Sequence, residues 1–183
     1  MPDEQMWATF FDAPRILTQL GFDDPATDVV EFGCGYGTFT VAAAARTSGI
    51  IFALDLDPAM IEFTRDRAQQ AGRPNVRLVR RDFVTEGTGL ADHCVGYAML
   101  FNILHAEKPD ALLREAWRVL RPGGRLGIMH WNYDPTTPRG PSLSIRPRPE
   151  QCRAWAEAAG FQLRAPGIRD LPPYHYGMVM ERA

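Results

Sequence analysis

The 183-residue sequence predicts an α/β fold in which one mostly parallel, doubly wound sheet carries helices on both faces. Three observations carry that expectation. Short apolar runs of strand length alternate along the chain with stretches of helix length. The runs VVEF, IIFALD and CVGYAMLF are apolar at consecutive rather than alternate positions, as strands buried on both faces must be. A cluster of three glycines, GCGYG, separates the first run from the next helix, where a parallel sheet hands its chain to a crossover connection.

In chain order, residues 3–20 read as helical with a break near Pro14, whose ring cannot continue a helix interior. VVEF is the first strand, and the small-residue run TVAAAAR after the glycines suits a helix. IIFALD at 50–55 is the second strand. The helix after it opens on Pro58, buries Met60, Ile61, Thr64, Ala68 and Ala71 on one face, and stops at Gly72. VRLV at 76–79 and CVGYAMLF at 94–101 are strands three and four, PDALLREAWRVL is a helix, and RLGIMHW at 125–131 is strand five. Prolines at 135, 138, 141, 147 and 149 make 132–149 a long irregular loop. EQCRAWAEAAG is a last amphipathic helix, and the stretches around Phe161 and 176–180 are candidate edge strands. The whole reads as a single domain: an N-terminal helical segment (1–24), a core (25–131), the proline-rich loop (132–149) and a C-terminal helix with edge strands (150–183).

Composition narrows the function. A formal charge of −2 gives no reason to expect a nucleic-acid partner. No apolar run approaches the length of a membrane span, and the acidic N-terminus MPDEQMWATFF lacks the pattern of a signal peptide, so a cytoplasmic protein is expected. Cys34, Cys94 and Cys152 are odd in number and far apart, which points to free thiols; no two histidines have ligand spacing, so no metal is expected.

In a doubly wound sheet, ligands bind at the carboxyl ends of the strands. There Gly33 and Gly35 let a ligand rest on main-chain amides. Asp55, at the end of the second strand and 20 residues past Gly35, is placed to accept hydrogen bonds from both hydroxyls of a ribose, so a nucleoside is expected. Thr38 stands where a dinucleotide fingerprint needs a third glycine or alanine, and Glu31 ahead of the loop would repel a pyrophosphate. A ligand with a cationic amine meets no such objection.

Together EFGCGYG, LDLD, RRDF and RVLRPGGRL, spread over residues 29–131, resemble in order and spacing the motifs of class I S-adenosylmethionine-dependent methyltransferases. The resemblance implies a seven-stranded sheet whose last strand, HYGMVMER, is antiparallel, and S-adenosylmethionine as cofactor with S-adenosylhomocysteine as product. It implies that Glu31 and the backbone of Gly33, Cys34 and Gly35 hold the methionine part, that Asp55 binds the ribose, that Asp82 and Phe83 hold the adenine, and that Leu56 and Met60 pack on the purine. Phe101, ending strand four, is expected beside the cofactor.

A nitrogen or oxygen acceptor must lose a proton, and His105 and His130, after strands four and five, are the candidate bases. Cys34 reads as a small spacer, since nothing nearby lowers its pKa. Trp7, Phe10 and Phe11 are either a flap over the cofactor or the buried face of a helix. LPPY at 171–174 is expected to be a turn. Asn102, Tyr133, Arg146, Arg148 and His175 are the candidate substrate contacts, with residues 132–149 and the chain around 174–176 as the wall of a substrate pocket. The chain is expected to methylate a small molecule; an NAD-type oxidoreductase and a catalytically silent cofactor-binding protein are the rivals.

Overall fold

The computed structural model describes residues 6–7 and 9–183. Its elements run α1 (Ala13–Gln19), β1 (Val29–Phe32), α2 (Thr38–Ala44), β2 (Ile51–Asp55), α3 (Pro58–Gln70), β3 (Val76–Arg80), β4 (Val95–Phe101), α4 (Pro109–Val119), β5 (Leu120–Trp131), α5 (Pro149–Ala158), β6 (Phe161–Leu163), β7 (Arg169–Leu171) and β8 (His175–Arg182). The expected break near Pro14 is a helix start. Asp12 caps α1 by accepting the Arg15 N–H at 3.1 Å, and Pro14 sits in the first turn, where its missing N–H costs nothing. Residues 6 and 7 are helical ahead of that start; residues 1–5 and 8, which belong to the same expected segment, lie outside the described residues. Asp57 caps α3 in the same way, through the Ala59 N–H at 2.8 Å. Met60, Ile61, Thr64 and Ala68 are its buried face, whereas Ala71 lies past the last turn and is exposed.

The strands lie in the order β3-β2-β1-β4-β5-β8-β6, with β7 also on β8. β1 to β5 are mutually parallel, and β8 is antiparallel to β5 from Arg125↔Glu181 to Trp131↔His175. The sheet thus has eight strands rather than seven. β6 pairs with Met180–Arg182 and β7 with His175–Gly177, so the two short pieces share one edge of β8 and occupy one strand position. The chain leaves that edge near Pro166, which has no N–H to donate to the ladder. β5 also begins earlier than expected, directly after α4, with a register shift opposite Val95 and Tyr97 that takes up the RPGG segment.

The consecutive apolar pattern has its explanation in β4. Ala98 and Leu100 face a core beneath α4 and α5 that includes Leu112, Leu113, Ile128 and Met178. Tyr97, Met99 and Phe101 face a second core beneath α1 and α2 with Ile16, Leu17, Leu20 and Phe39. Both faces of the strand are thereby withdrawn from water. Residues 132–148 form no helix or strand, and 172–174 are a turn, as expected of each.

Candidate active site

β1 and β2 run parallel in the register Glu31↔Ala53, so the chain leaving β1 meets the end of β2. The N–H groups of Gly33 and Cys34 both donate to the Leu54 carbonyl, at 2.9 and 2.8 Å. Gly33, Gly35 and Gly37 take φ of 84°, 52° and 72°, a left-handed region that a side chain disfavours, and the loop turns through them into α2. The turn aims the Gly35 N–H at Asp55, whose Oδ2 accepts it at 2.9 Å. Oδ1 of Asp55 accepts the Asp57 N–H at 3.0 Å. Each carboxylate oxygen is therefore held by one amide and keeps a further lone pair for a ligand.

Glu31 is 2% exposed and its Oε2 accepts a short hydrogen bond from the Thr40 hydroxyl of α2. Burial pushes its pKa up to about 8, against the Thr40 hydrogen bond and with the neighbouring Asp55 charge adding to the rise. A carboxyl group at the floor of a cleft, beside a second carboxylate and with no Lys or Arg among the described lining residues, favours a ligand that brings positive charge.

On the opposite wall, Asp82 ends the segment after β3. A hydrogen bond from the Thr85 hydroxyl, and then the Thr85 and Val84 N–H groups that its Oδ1 accepts at 3.3 and 3.2 Å, hold its pKa below the ordinary carboxylate range. Phe83 packs edge-on against Phe32. Leu56, 57% exposed, and buried Met60 supply apolar surface. Burial raises the Cys34 thiol well above its ordinary pKa, with the Glu31 charge contributing, so it is an inert spacer.

These groups line one cleft of about 430 Å³, within the range of about 300–1,000 Å³ common for small-molecule sites. Glu31, Gly33, Cys34, Gly35, Asp55, Leu56, Met60, Asp82, Phe83 and Phe101 all line it, and Asn102 and His105 join them. Asn102 takes a positive φ of 56°, and its side-chain oxygen is buried without a partner among the described residues. Sequence reasoning missed Thr38, Phe39, Asp57, Val84 and Ile103 in the lining and Thr40 beneath it. Their only sequence signal is adjacency to the glycine loop, Leu56, RRDF and Asn102. Trp7 reconciles the two readings of the N-terminal aromatics: it lines the cleft while packing on Phe11 at 5.0 Å and Trp131 at 6.2 Å.

The remaining expectations need correction. His130 does not project into the cleft. It is fully buried behind His105, with Nε2 3.3 Å from Nδ1 of His105. Burial, and then the neighbouring His105, depress its pKa to about 3, and burial alone lowers His105. Both rings are neutral near pH 7, one N–H bridges them, and Nε2 of His105 is directed away from His130. His175 lines neither this cleft nor the second one described below. It is buried between Phe11 and Trp131, at ring distances of 4.8 and 4.2 Å, because β8 turns it into the sheet.

Arg146 is no free anion clamp. It is 7% exposed, and its guanidinium donates to the carbonyls of Asn132 (2.9 Å), Asp134 (3.2 Å), Arg139 (3.2 Å) and Pro141 (2.7 Å) and to the Thr137 hydroxyl. It holds the proline-rich loop in shape. Tyr133 and Arg148 lie in a second cleft, described below.

A family model described as a methyltransferase domain matches residues 29–124, just over half of the chain. The chain belongs to the class I S-adenosylmethionine-dependent methyltransferases. It is 31% identical over 137 residues to a ribosomal protein L11 methyltransferase of Alkalilimnicola ehrlichii, covering 73% of this chain and 44% of the relative. It is 27% identical over 135 residues to a ubiquinone/menaquinone biosynthesis C-methyltransferase of Legionella pneumophila, covering 70% and 51%. The chain thus spans about half or less of the length of these curated relatives. Its fold is similar to that of a solved S-adenosylmethionine-dependent methyltransferase from Aquifex aeolicus, with a TM-score of 0.85, 20% identity, and coverage of 99% of this chain and 94% of that one. The cleft fits the family's cofactor: buried Glu31 lacks the positive charge that a methionine ammonium carries, and Asp82 keeps an acceptor for an exocyclic amine. No helix of the described residues is long and apolar enough to cross a membrane.

Proposed function

We propose that this methyltransferase moves a methyl group from S-adenosylmethionine to a nucleophilic N, O, S or C atom of a small molecule. The observation that carries the reading is the buried Glu31 carboxyl at the floor of the cleft, within the field of Asp55 and with no Lys or Arg among the described lining residues. In this reading Glu31 pairs with the methionine ammonium, and the Gly33–Gly35 backbone lies against the methionine chain. Asp55 accepts from the ribose hydroxyls, Asp82 and the Phe83 N–H meet the adenine edge, and Leu56 and Met60 cover its faces.

When bound, the cofactor would supply an activated methyl carbon whose sulfur leaves with its electron pair as a neutral thioether, so that an acceptor bearing a proton would have to lose it. Removing that proton from an N–H, O–H or S–H acceptor falls to Nε2 of His105, the ring nitrogen not engaged with His130. It is bare in the tautomer whose Nδ1–H donates to His130. Trp7, Phe39 and Phe101 wall the cleft against water, which would otherwise compete as acceptor.

The test is titration calorimetry with S-adenosylhomocysteine, together with release of that product from labelled S-adenosylmethionine in the presence of metabolite extracts. Asp55→Ala should weaken binding by about 1.5–3 kcal/mol, since a charged acceptor is lost. Unchanged affinity would remove the ribose assignment, and absence of binding by the unaltered protein would remove the whole reading.

A further inference from the structure

His105 belongs to two clefts. One is the cleft described above; the other, of about 670 Å³, lies between the β4–α4 connection, the proline-rich loop and α5. Half of the second lining is apolar, with Leu104, Leu143, Ile145 and Trp155 among it, and Ile145 is 54% exposed. Such a surface, facing solvent on a loop that Arg146 holds in a fixed shape, asks for an apolar occupant.

The charges in the lining say more. Arg146 spends its donors within the loop, which leaves Arg148 as the cation and Glu107 as the anion of this cleft. Neither has an ion-pair partner among the described residues. The two differ in how they are held. Arg148 lies over the Tyr133 ring with its guanidinium carbon 3.8 Å from the centroid, so the planar fork is oriented before any ligand arrives. Glu107 is an exposed side chain ahead of α4, free to turn into solvent. A pre-oriented guanidinium beside apolar walls matches a carboxylate attached to an apolar body, because the fork gives two parallel hydrogen bonds that a point charge does not.

We infer that the second cleft is the acceptor site and takes an apolar monocarboxylate: Arg148 grips the carboxylate, Trp155 and Leu143 cover the body, and the nucleophilic atom is presented past His105 to the first cleft. The inference rests on the methyltransferase reading, which it deepens by naming a substrate class.

The experiment measures binding of 4-hydroxybenzoate, 4-hydroxycinnamate and decanoate, each against its methyl ester, to protein saturated with S-adenosylhomocysteine. At least one acid should bind while its ester binds about tenfold more weakly or not at all. Arg148→Gln should lower that acid's affinity by a similar factor and leave S-adenosylhomocysteine binding unchanged. Glu107→Gln should leave the acid's affinity the same or raise it. Esters binding as well as acids, no acid binding, an unaffected Arg148→Gln, or a weaker acid in Glu107→Gln would each overturn the inference. Failure of S-adenosylhomocysteine to bind would instead strike the cofactor reading; the acids, tested on protein without it, would still judge the second cleft.

Discussion

The two clefts that meet at His105 are built by different means. The first is made mostly by backbone and by carboxylates one or two residues from a strand end: the Gly33–Gly37 turn, Asp55 bonded to the Gly35 N–H, and Asp82 bonded to the amides after it. The second is made by side chains on an irregular loop and the helix after it, from Tyr133 to Trp155. Arg146 and Arg148 show the consequence. They are the same residue type two positions apart, yet one is buried with its donors spent on loop carbonyls, and the other lies exposed over an aromatic face. A backbone site follows from local sequence because glycine opens positive φ to the chain wherever it stands, and proline fixes φ. A side-chain site depends on which neighbours claim each donor first.

The largest effect that would break this contrast is on the loop. Arg146→Ala should destabilise the protein by about 2–4 kcal/mol, because it removes the one guanidinium that ties four loop carbonyls and the Thr137 hydroxyl together, while affinity for S-adenosylhomocysteine stays unchanged. Denaturant melts and calorimetry check both halves. A variant as stable as the parent, or one that loses cofactor affinity, would mean the two regions are not separately built.

The next sharpens the border between them. His105→Ala should slow methyl transfer to a nitrogen or oxygen acceptor by about tenfold to a hundredfold with little change in S-adenosylhomocysteine affinity. His130→Gln should lower kcat less and change the shape of the pH–rate profile, since it acts only by orienting His105. If His130→Gln costs as much as His105→Ala and the profile is unmoved, His130 is simply a packing residue whose loss distorts the wall.

The smallest concerns Glu31. Its folded pKa of about 8 lies above the ordinary value of 4.5, so the neutral form is the one folding favours. The free protein's stability from this group is full below about pH 4.5 and is lost as pH rises through 8. A ligand ammonium needs the ionised form, so binding below pH 8 expels a proton, and affinity should rise with pH toward 8 by at most about tenfold per pH unit. Glu31→Gln should remove both dependences. Proton release measured in buffers of different ionisation enthalpy is the check; none released would mean Glu31 meets no cation.

The order of strands and helices, the single glycine turn and ten residues that line the first cleft are legible in the sequence. They rest on consecutive apolar runs, on Pro58 at a helix start, and on motifs that resemble those of a known family and lie at strand ends on one sheet edge. The split of one edge position into β6 and β7 is not legible, because three-residue strands carry no periodicity and owe their pairing to the exposed edge of β8. Nor are the fates of His130 and His175, which alternate positions on β5 and β8 decide only once the sheet has neighbours on both faces. The chain alone determined where a glycine-lined cleft would form at the sheet edge, since main-chain geometry is local. Which histidine faces the cleft, which arginine is free and where a second cleft opens were decided by the tertiary structure, because each depends on residues far apart in sequence competing for the same hydrogen bonds and the same buried volume.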